Sequence, residues 1–232
     1  MQTPYFLIDQ DQLETNLSEF KHALQAIWPY SHIAYSVKTN SLPWVLDYLR
    51  KQGVLAEVVS DEEFALSQLS GYSENEIVFN GPIKGEAAFL KAVQKGSLVN
   101  IDSQNELDYF RRHCQEHKET IGLRINVDTT LFDSQDVGYR EEGFRFGFSE
   151  ANGELAQALD LIRFNQSSNR IGLHFHCNSV TRSVRVYQEI ARYAKYIIRK
   201  YTINPSFIDI GGGFFGGVEG KPTASDYIQA VK

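Results

Sequence analysis

The feature that most constrains this chain is an alternation sustained from end to end. Short runs with strand patterning are followed by longer segments whose apolar residues recur at helical spacing. Strands separated by helices pair in parallel, because the crossover returns the chain to the same end of the sheet, so the pattern predicts an α/β fold. Residues 13 to 27 place Leu13, Leu17, Phe20, Leu24 and Ile27 on one helical face, with Asp11 and Glu14 as an N-terminal capping pair. The strand "HIAYSVKTN" ends at Lys38, and a helix opening at Ser41, with Pro43 in its first turn, stops at Gly53. After the strand "LAEVVS", Ser60 and Glu63 form a capping box for a helix ending near Gly71. "EIVFNGP", a helix over residues 85 to 95 and "LVNID" come next. Ser103 and Glu106 then cap a helix with Leu107, Phe110 and Cys114 inward, before "IGLRINV". Residues 128 to 150 read as a polar, glycine-containing loop longer than a connection needs, hence functional or mobile. A helix around Leu155, Leu159 and Ile162, the strand "RIGLHFHC", a helix from about Val184 to Tyr201 and the strand "FIDIGGG" complete the series.

This reading gives seven strands from Lys38 onward. A TIM-type (β/α)8 barrel fits them best, lacking its eighth strand, and a doubly wound open sheet is the structural alternative. The 232 residues suit a single barrel, and a hydrophobic content of 42% supplies its core. The opening "TPYFLID" reads as a strand outside the repeat. A net charge of -6, with Lys and Arg scattered, offers no basic face to nucleic acid or an anionic membrane. No apolar run reaches the roughly 20 residues that span a bilayer. Cys114 and Cys177 are too few and too isolated for a disulfide framework or zinc ribbon, and the N-terminus lacks the regions of a signal peptide. The expectation is a soluble, cytoplasmic protein with a small-molecule ligand.

In a β/α barrel the active site lies at the C-terminal ends of the strands, where Lys38, Asn80, Asp102, Arg124, His176 and the Gly211 run fall. Ala34, Ser36 and Lys38 share one face, placing small residues beneath a long amine with no acid adjacent in sequence. Such a lysine in a semi-apolar mouth loses its proton readily and suits Schiff-base chemistry; a solvated lysine before a loop is the plain alternative. In "DIGGGFFGG", Gly211, Gly213 and Gly216 satisfy the letter of the dinucleotide fingerprint, but "VEGKPT" follows where that fold needs a helix. What survives is the ability of glycine backbone N–H groups to approach a phosphate, set against a simple turn. His174 and His176 share a face of "GLHFHCNS" and suggest a zinc pair, so a metal-dependent hydrolase is the rival reading. His22, His113 and His117 fall on helices and His32 at a strand start, so no third imidazole reaches the mouth and no bound metal is expected. His174 otherwise reads as a core histidine, and His176 as a ring placed to stack on a planar cofactor.

Taken in order, "TPYFLID", "AYSVKTN", "EVVSDEE", "IVFNGPIKG", "NIDSQNEL", "LRINVD", "FRFGF", "GLHFHCNS" and "FIDIGGGF" resemble the fold-type III pyridoxal phosphate decarboxylases, the group containing diaminopimelate, ornithine and arginine decarboxylases. The resemblance covers essentially the whole chain. It implies an alanine-racemase-like barrel, pyridoxal 5'-phosphate as cofactor, an amino-acid substrate and a homodimer. It also implies that Lys38 holds the cofactor as an internal aldimine, that His176 stacks against the pyridine ring, and that Ser179 with Gly211, Gly212 and Gly213 holds the phosphate. Arg124, Arg145 and Glu63 match positions near the cofactor, though Glu63 is explained equally well as a helix cap. The implied reaction is decarboxylation, with the α-carboxylate lost into the electron sink of the cofactor and a proton returned.

Two residues depart from the pattern. Asn178 and Glu62 stand where the family usually has glycine. Asn is the non-glycine residue that best tolerates a left-handed backbone, so a turn at Asn178 is expected to survive with a β-carbon crowding the phosphate loop. The glutamate that pairs with the pyridine nitrogen, and the cysteine and aspartate of the family's second domain, do not appear. Residues 11–232 are thus expected to form an incomplete pyridoxal phosphate-binding barrel of a longer decarboxylase, inactive alone, with residues 1–10 a strand of an absent C-terminal β domain. A non-catalytic pyridoxal phosphate-binding barrel is the alternative.

Overall fold

The structure is a computed structural model and describes residues 5, 7–114, 120–137, 146–165 and 171–232. Helix α1 (Gln10–Ile27) leads into β1 (Ala34–Ser36), and units of helix and strand follow: α2 (Pro43–Lys51), β2 (Leu55–Val58), α3 (Asp61–Leu69), β3 (Ile77–Phe79), α4 (Glu86–Gln94) and β4 (Leu98–Ile101). Then come α5 (Gln104–His113), β5 (Ile121–Asn126), β6 (Phe148–Ser149), α6 (Glu154–Asn165), β7 (Ile171–Phe175), α7 (Val184–Lys200), β8 (Ile208–Asp209) and α8 (Ala224–Ala230). The strands pair in parallel in the order β1-β2-β3-β4-β5-β7-β8. The order never reverses. A doubly wound sheet requires a reversal, so this is the winding of a barrel wall. No strand among the described residues joins β8 to β1; α1 and α8 pack against each other, and the Phe20 ring meets Phe214 at 5.5 Å.

The segment read as a loop from 128 to 150 contains β6. It pairs with β5 at Ile125 and Asn126, beyond the last β4 contact at Leu123, and so occupies the upper part of that edge. Two residues of strand are too short to carry a periodic signal.

Strands β5 and β7 repeat the same local pattern in register, with Gly122 opposite Gly172, Leu123 opposite Leu173 and Arg124 opposite His174. Leu123 and Leu173 are fully buried in the core. Alternation turns the glycines, Arg124 and His174 to the other face, inside the curve. The two glycines leave a trough that the Phe207 ring fills, and a Cβ at either would collide with that ring. Phe207 is thus the floor beneath the polar residues above it.

Helix α7 shows why the outer layer forms. Val186, Tyr187, Ile190, Tyr193, Ala194 and Ile197 recur at helical spacing and are buried. Helix α1 behaves differently. Its N-cap is Asp9, whose carboxylate accepts from the Gln12 N–H at 2.9 Å, rather than the Asp11 and Glu14 pair. Its apolar face is the expected one, with Leu13 and Leu17 against Val45, Leu49 and Val54, yet no residue of α1 is fully buried, because it lies on the open side of the sheet. Ser41 does not cap α2: the N-cap is Leu42, with Asn40 Oδ1 accepting its N–H at 3.2 Å. In "TPYFLID", Tyr5, Leu7, Ile8 and Asp9 form no strand, and Thr3, Pro4 and Phe6 lie outside the described residues. Among the described residues no helix is long and apolar enough to cross a membrane.

Candidate active site

Above the Phe207 floor the inner ends of the strands open into one cavity of about 1690 Å³, lined by Lys38, Arg124, His176, Ser179 and Gly211 to Gly213 among others. That volume exceeds what one cofactor needs, because the open side between β8 and β1 is continuous with it. Lys38 stands two residues past β1's end, in a 3-10 turn over Val37–Thr39, rather than on the strand itself. Its amine has no hydrogen bond or ion pair among the described residues. An acid does stand beside it. Glu57 on β2 is opposite Ser36 in register and accepts a hydrogen bond from the Ser36 hydroxyl. Burial pushes the Glu57 carboxyl up, while Ser36 and Lys38 draw it down. That neighbour sits 19 positions from Lys38 in sequence and comes close only through strand pairing.

A polar layer lies deeper. Asp209 accepts from Asn80 Nδ2 at 3.2 Å, from Asn100 Nδ2 at 3.3 Å and from the Gly211 N–H at 2.8 Å. Desolvation pushes its carboxyl up, but His174, the Gly211 N–H and Asn80 hold it below the ordinary range. Arg124 Nη1 donates to Asp102 Oδ2 at 2.6 Å and its guanidinium lies over the Phe146 ring. Burial lowers His174 to about 4 and His176 to about 3, helped at His176 by the charges of Arg124 and Lys38. Both imidazoles are therefore neutral near pH 7, with ring centres 6.4 Å apart. His174 is buried, as a core histidine should be, and His176 lines the cavity.

The glycine run closes one end. Gly211 and Gly213 have φ of +69° and +95°, and a Cβ on Gly211 would collide with the His176 ring. The Gly211 N–H is already turned onto Asp209, whereas the Gly212 and Gly213 N–H groups have no acceptor among the described residues. Ser179 Oγ donates to the Asp136 carbonyl at 3.1 Å and accepts from the Arg182 N–H at 2.8 Å. Asn178 lines the cavity but is not left-handed; the positive φ falls on Arg182, at +53°. Glu63 accepts from the Val59 N–H at 2.9 Å and serves its helix, and Glu62 is exposed on α3. Arg145 lies outside the described residues. Glu57, Asp209 and Asp136 were missed in sequence. Glu57 and Asp209 left a signal, as the polar members of the inward phases of "LAEVVS" and "FIDIGGG", and Asp136 left none.

A free amine at a barrel strand tip, a neutral imidazole wall and unbonded glycine N–H groups define a site for a planar carbonyl compound that carries an anionic group. The chain belongs to the pyridoxal-dependent decarboxylases, matching their pyridoxal binding domain over residues 10–231. It is 29% identical to the probable chloroplastic diaminopimelate decarboxylase of Oryza sativa subsp. japonica, over 99% of this chain and 48% of that protein. It is 28% identical to the L-glutamyl-[BtrI acyl-carrier protein] decarboxylase of Niallia circulans, over 100% of this chain and 56% of that one. The chain spans about half the length of the curated relatives it matches. Among solved structures, diaminopimelate decarboxylase from Helicobacter pylori complexed with L-lysine is 26% identical with a TM-score of 0.75, covering 100% of this chain and 60% of that one. The M. jannaschii diaminopimelate decarboxylase, at 22% identity, a TM-score of 0.79 and coverage of 97% and 55%, shares the fold.

The residues present fit pyridoxal phosphate. The Lys38 amine is unengaged, the glycine cradle would be filled by any Cβ at Gly211, and two N–H groups there await an anion. The hydrolase reading finds no ligand set, since no group of three His, Cys, Asp or Glu among the described residues could hold a metal.

Proposed function

We propose that this chain is the cofactor-binding barrel of an amino-acid α-decarboxylase in which Lys38 covalently anchors pyridoxal phosphate. The observation that carries the reading is the unpartnered Lys38 amine sharing one cavity with neutral His176 and the glycine run. When bound, the cofactor supplies the electron sink that accepts the bonding pair of the departing carboxylate. The chain's own groups do the rest. Lys38 would hold the cofactor covalently through Nζ, and the same amine would be the group to carry a proton. Glu57, held at its higher affinity for protons by burial, stands beside that amine to share it. His176 would offer a flat uncharged face to the cofactor ring, and the Gly212 and Gly213 N–H groups would hold its phosphate end. Asp102 keeps the Arg124 guanidinium fixed.

The names of the relatives point to diaminopimelate in some and a carrier-bound L-glutamyl group in another, so the reading fixes the substrate at an amino acid and leaves its side chain open. It includes a cytoplasmic homodimer, a β-rich second domain to which residues 1–10 contribute, and inactivity of residues 1–232 alone. Borohydride reduction of the full-length protein should leave a pyridoxyl mass on the peptide containing Lys38. Lys38→Ala should lower carbon dioxide release by on the order of 10²-fold or more, and residues 1–232 alone should release none. Label on another lysine, or near-normal turnover by Lys38→Ala, sinks the proposal.

A further inference from the structure

Behind the barrel wall lies a second cleft, of about 370 Å³, between the turn after β5, the turn after β6 and the middle of α7. Val127 lines it and continues the phase of Leu123 and Ile125, the face that packs on the helices and away from Arg124 and His174. The turn after β5 is anchored at its far end by Asp136. The Asp136 carbonyl accepts from Ser179 Oγ and the Val180 N–H, and its buried carboxylate accepts from the Thr181 and Ser183 hydroxyls and from the Arg185 guanidinium at 2.9 Å. The cleft is therefore preformed. Asp128, Glu150 and Glu189 line it. Glu150 is paired with Lys200 and Glu189 with Arg192, whereas Asp128 has no cation against it among the described residues. Its Oδ1 accepts from the N–H and the hydroxyl of Thr130, and its Oδ2 is left unused. Two hydroxyls are unused as well. Tyr193 is only 7% exposed and lines the cleft, yet its hydroxyl has no hydrogen bond among the described residues. Burial pushes that hydroxyl's affinity for its proton up, and the facing carboxylates of Glu150 and Asp128 add to the effect. Thr129 Oγ1 is buried without a partner too. A buried hydroxyl left unpaired costs free energy until a ligand or water meets it.

We propose that this cleft binds a primary ammonium group on an aliphatic stem, the ammonium donating to Asp128, Tyr193 and Thr129 and the stem lying on Leu131, Val127 and the Tyr196 ring. The uncompensated carboxylate asks for a single positive charge. Among the described residues no group of three His, Cys, Asp or Glu could hold a metal, which leaves an organic cation. An ammonium has three donors, and the cleft offers it three unused acceptors. The protein already displays this chemistry at the other end of the cleft. Lys200 Nζ donates to Glu150 and, at 3.1 Å, to the Tyr196 hydroxyl, and it stands 5.5 Å from the centre of the Tyr196 ring. Leu131 and Tyr196 are both about half exposed, so an aliphatic stem would bury apolar surface against them. The site is independent of the cofactor.

The test is calorimetric titration of the full-length protein with n-pentylamine, after borohydride treatment has removed any carbonyl or imine with which an amine could react. Pentylamine should bind saturably, and pentan-1-ol, which has the stem without the charge, should not. Asp128→Asn keeps the oxygen that accepts from Thr130 and removes the charge. It should weaken pentylamine about 10-fold or more. Tyr193→Phe should weaken it about 3- to 10-fold with no lowering of the melting midpoint, because the lost hydroxyl has no partner in the protein. Lys200→Met, which releases Glu150 and the face of Tyr196, should tighten binding. L-Lysine presents the same ammonium and stem on an amino-acid end: binding tighter than pentylamine assigns the cleft to an amino acid, and weaker binding assigns it to a free amine. Absence of saturable pentylamine binding overturns the proposal. So does binding that is unchanged in Asp128→Asn and Tyr193→Phe, which would place the amine in the larger cavity, and so does a lowered midpoint for Tyr193→Phe, which would mark the hydroxyl as structural.

Discussion

At the scale of single residues, the unpartnered state of Lys38 follows from what its acidic neighbours are doing. Glu57 is engaged by Ser36, Asp209 by two asparagines and the Gly211 N–H, and Asp102 by Arg124. Each carboxylate near the mouth is satisfied elsewhere, so the amine stays available for covalent chemistry. His176 is the complementary case, an imidazole stripped of its charge by burial. Its affinity for protons falls from the ordinary 6.5 to about 3 on folding. Between those values the unfolded chain binds a proton that the folded chain refuses, so stability is full above about pH 6.5 and declines as pH falls toward 3. Replacing His176 with Phe keeps a flat ring and removes the titration. The melting midpoint of His176→Phe should therefore fall less steeply between pH 6.5 and 4 than that of the wild type, and parallel curves would show that His176 is not the group responsible.

At the scale of elements, two helices use one device. In α3 and α5 a serine caps the first turn while the glutamate three residues on reaches back past it, Glu63 to the Val59 N–H and Glu106 to the Asp102 N–H. The glutamate thus pins the end of the preceding strand, one residue beyond the usual capping-box partner. Glu106 also receives Lys84, whose ammonium donates to it at 2.9 Å and to the carbonyls of Gly81 and Asn100 at 2.7 and 2.9 Å. All three Lys84 donors are used inside the protein, so the pair locks the loop after β3 to β4 and α5. Lys84→Met would strand a buried carboxylate and should cost about 3–5 kcal/mol in urea unfolding. Adding Glu106→Leu should recover part of that loss but leave about 1–3 kcal/mol, because the Asp102 N–H is then orphaned. A double variant no better than Lys84→Met would show that the cost lies in packing.

At the scale of the whole molecule, the barrel wall is built around a floor. Gly122 and Gly172, side by side on β5 and β7, admit Phe207 from the turn before β8, and the same inward phase carries Arg124, His174 and Asp209 above it. Filling the trough should disturb floor and site together. Gly172→Ala should destabilise the protein by about 1–3 kcal/mol through overpacking, and Phe207→Leu in the same chain should restore much of the loss by making room for the added methyl. Urea midpoints of the two single variants and the double variant check this; additive losses would mean that the ring and the glycine are not coupled.

Sequence alone determined what short-range physics controls. Strand and helix periods gave the parallel β/α order, alternation put Arg124, His174 and His176 on the inward phase, and the ordered motifs carried the resemblance that the family match bears out. It failed where signals were too short or came from the wrong local rule. The two residues of β6 have no period to read, α1 took its cap from Asp9 because the helix starts earlier than its apolar stripe, and the left-handed turn fell on Arg182 instead of Asn178. Tertiary structure decided everything that depends on pairing between distant segments. Glu57 reaches Lys38 only because β1 and β2 pair at Ser36, and Asp136 clamps residues 179 to 185 across more than 40 positions of chain. No local period or propensity encodes such contacts, since their energy appears only once the sheet has fixed the two backbones side by side.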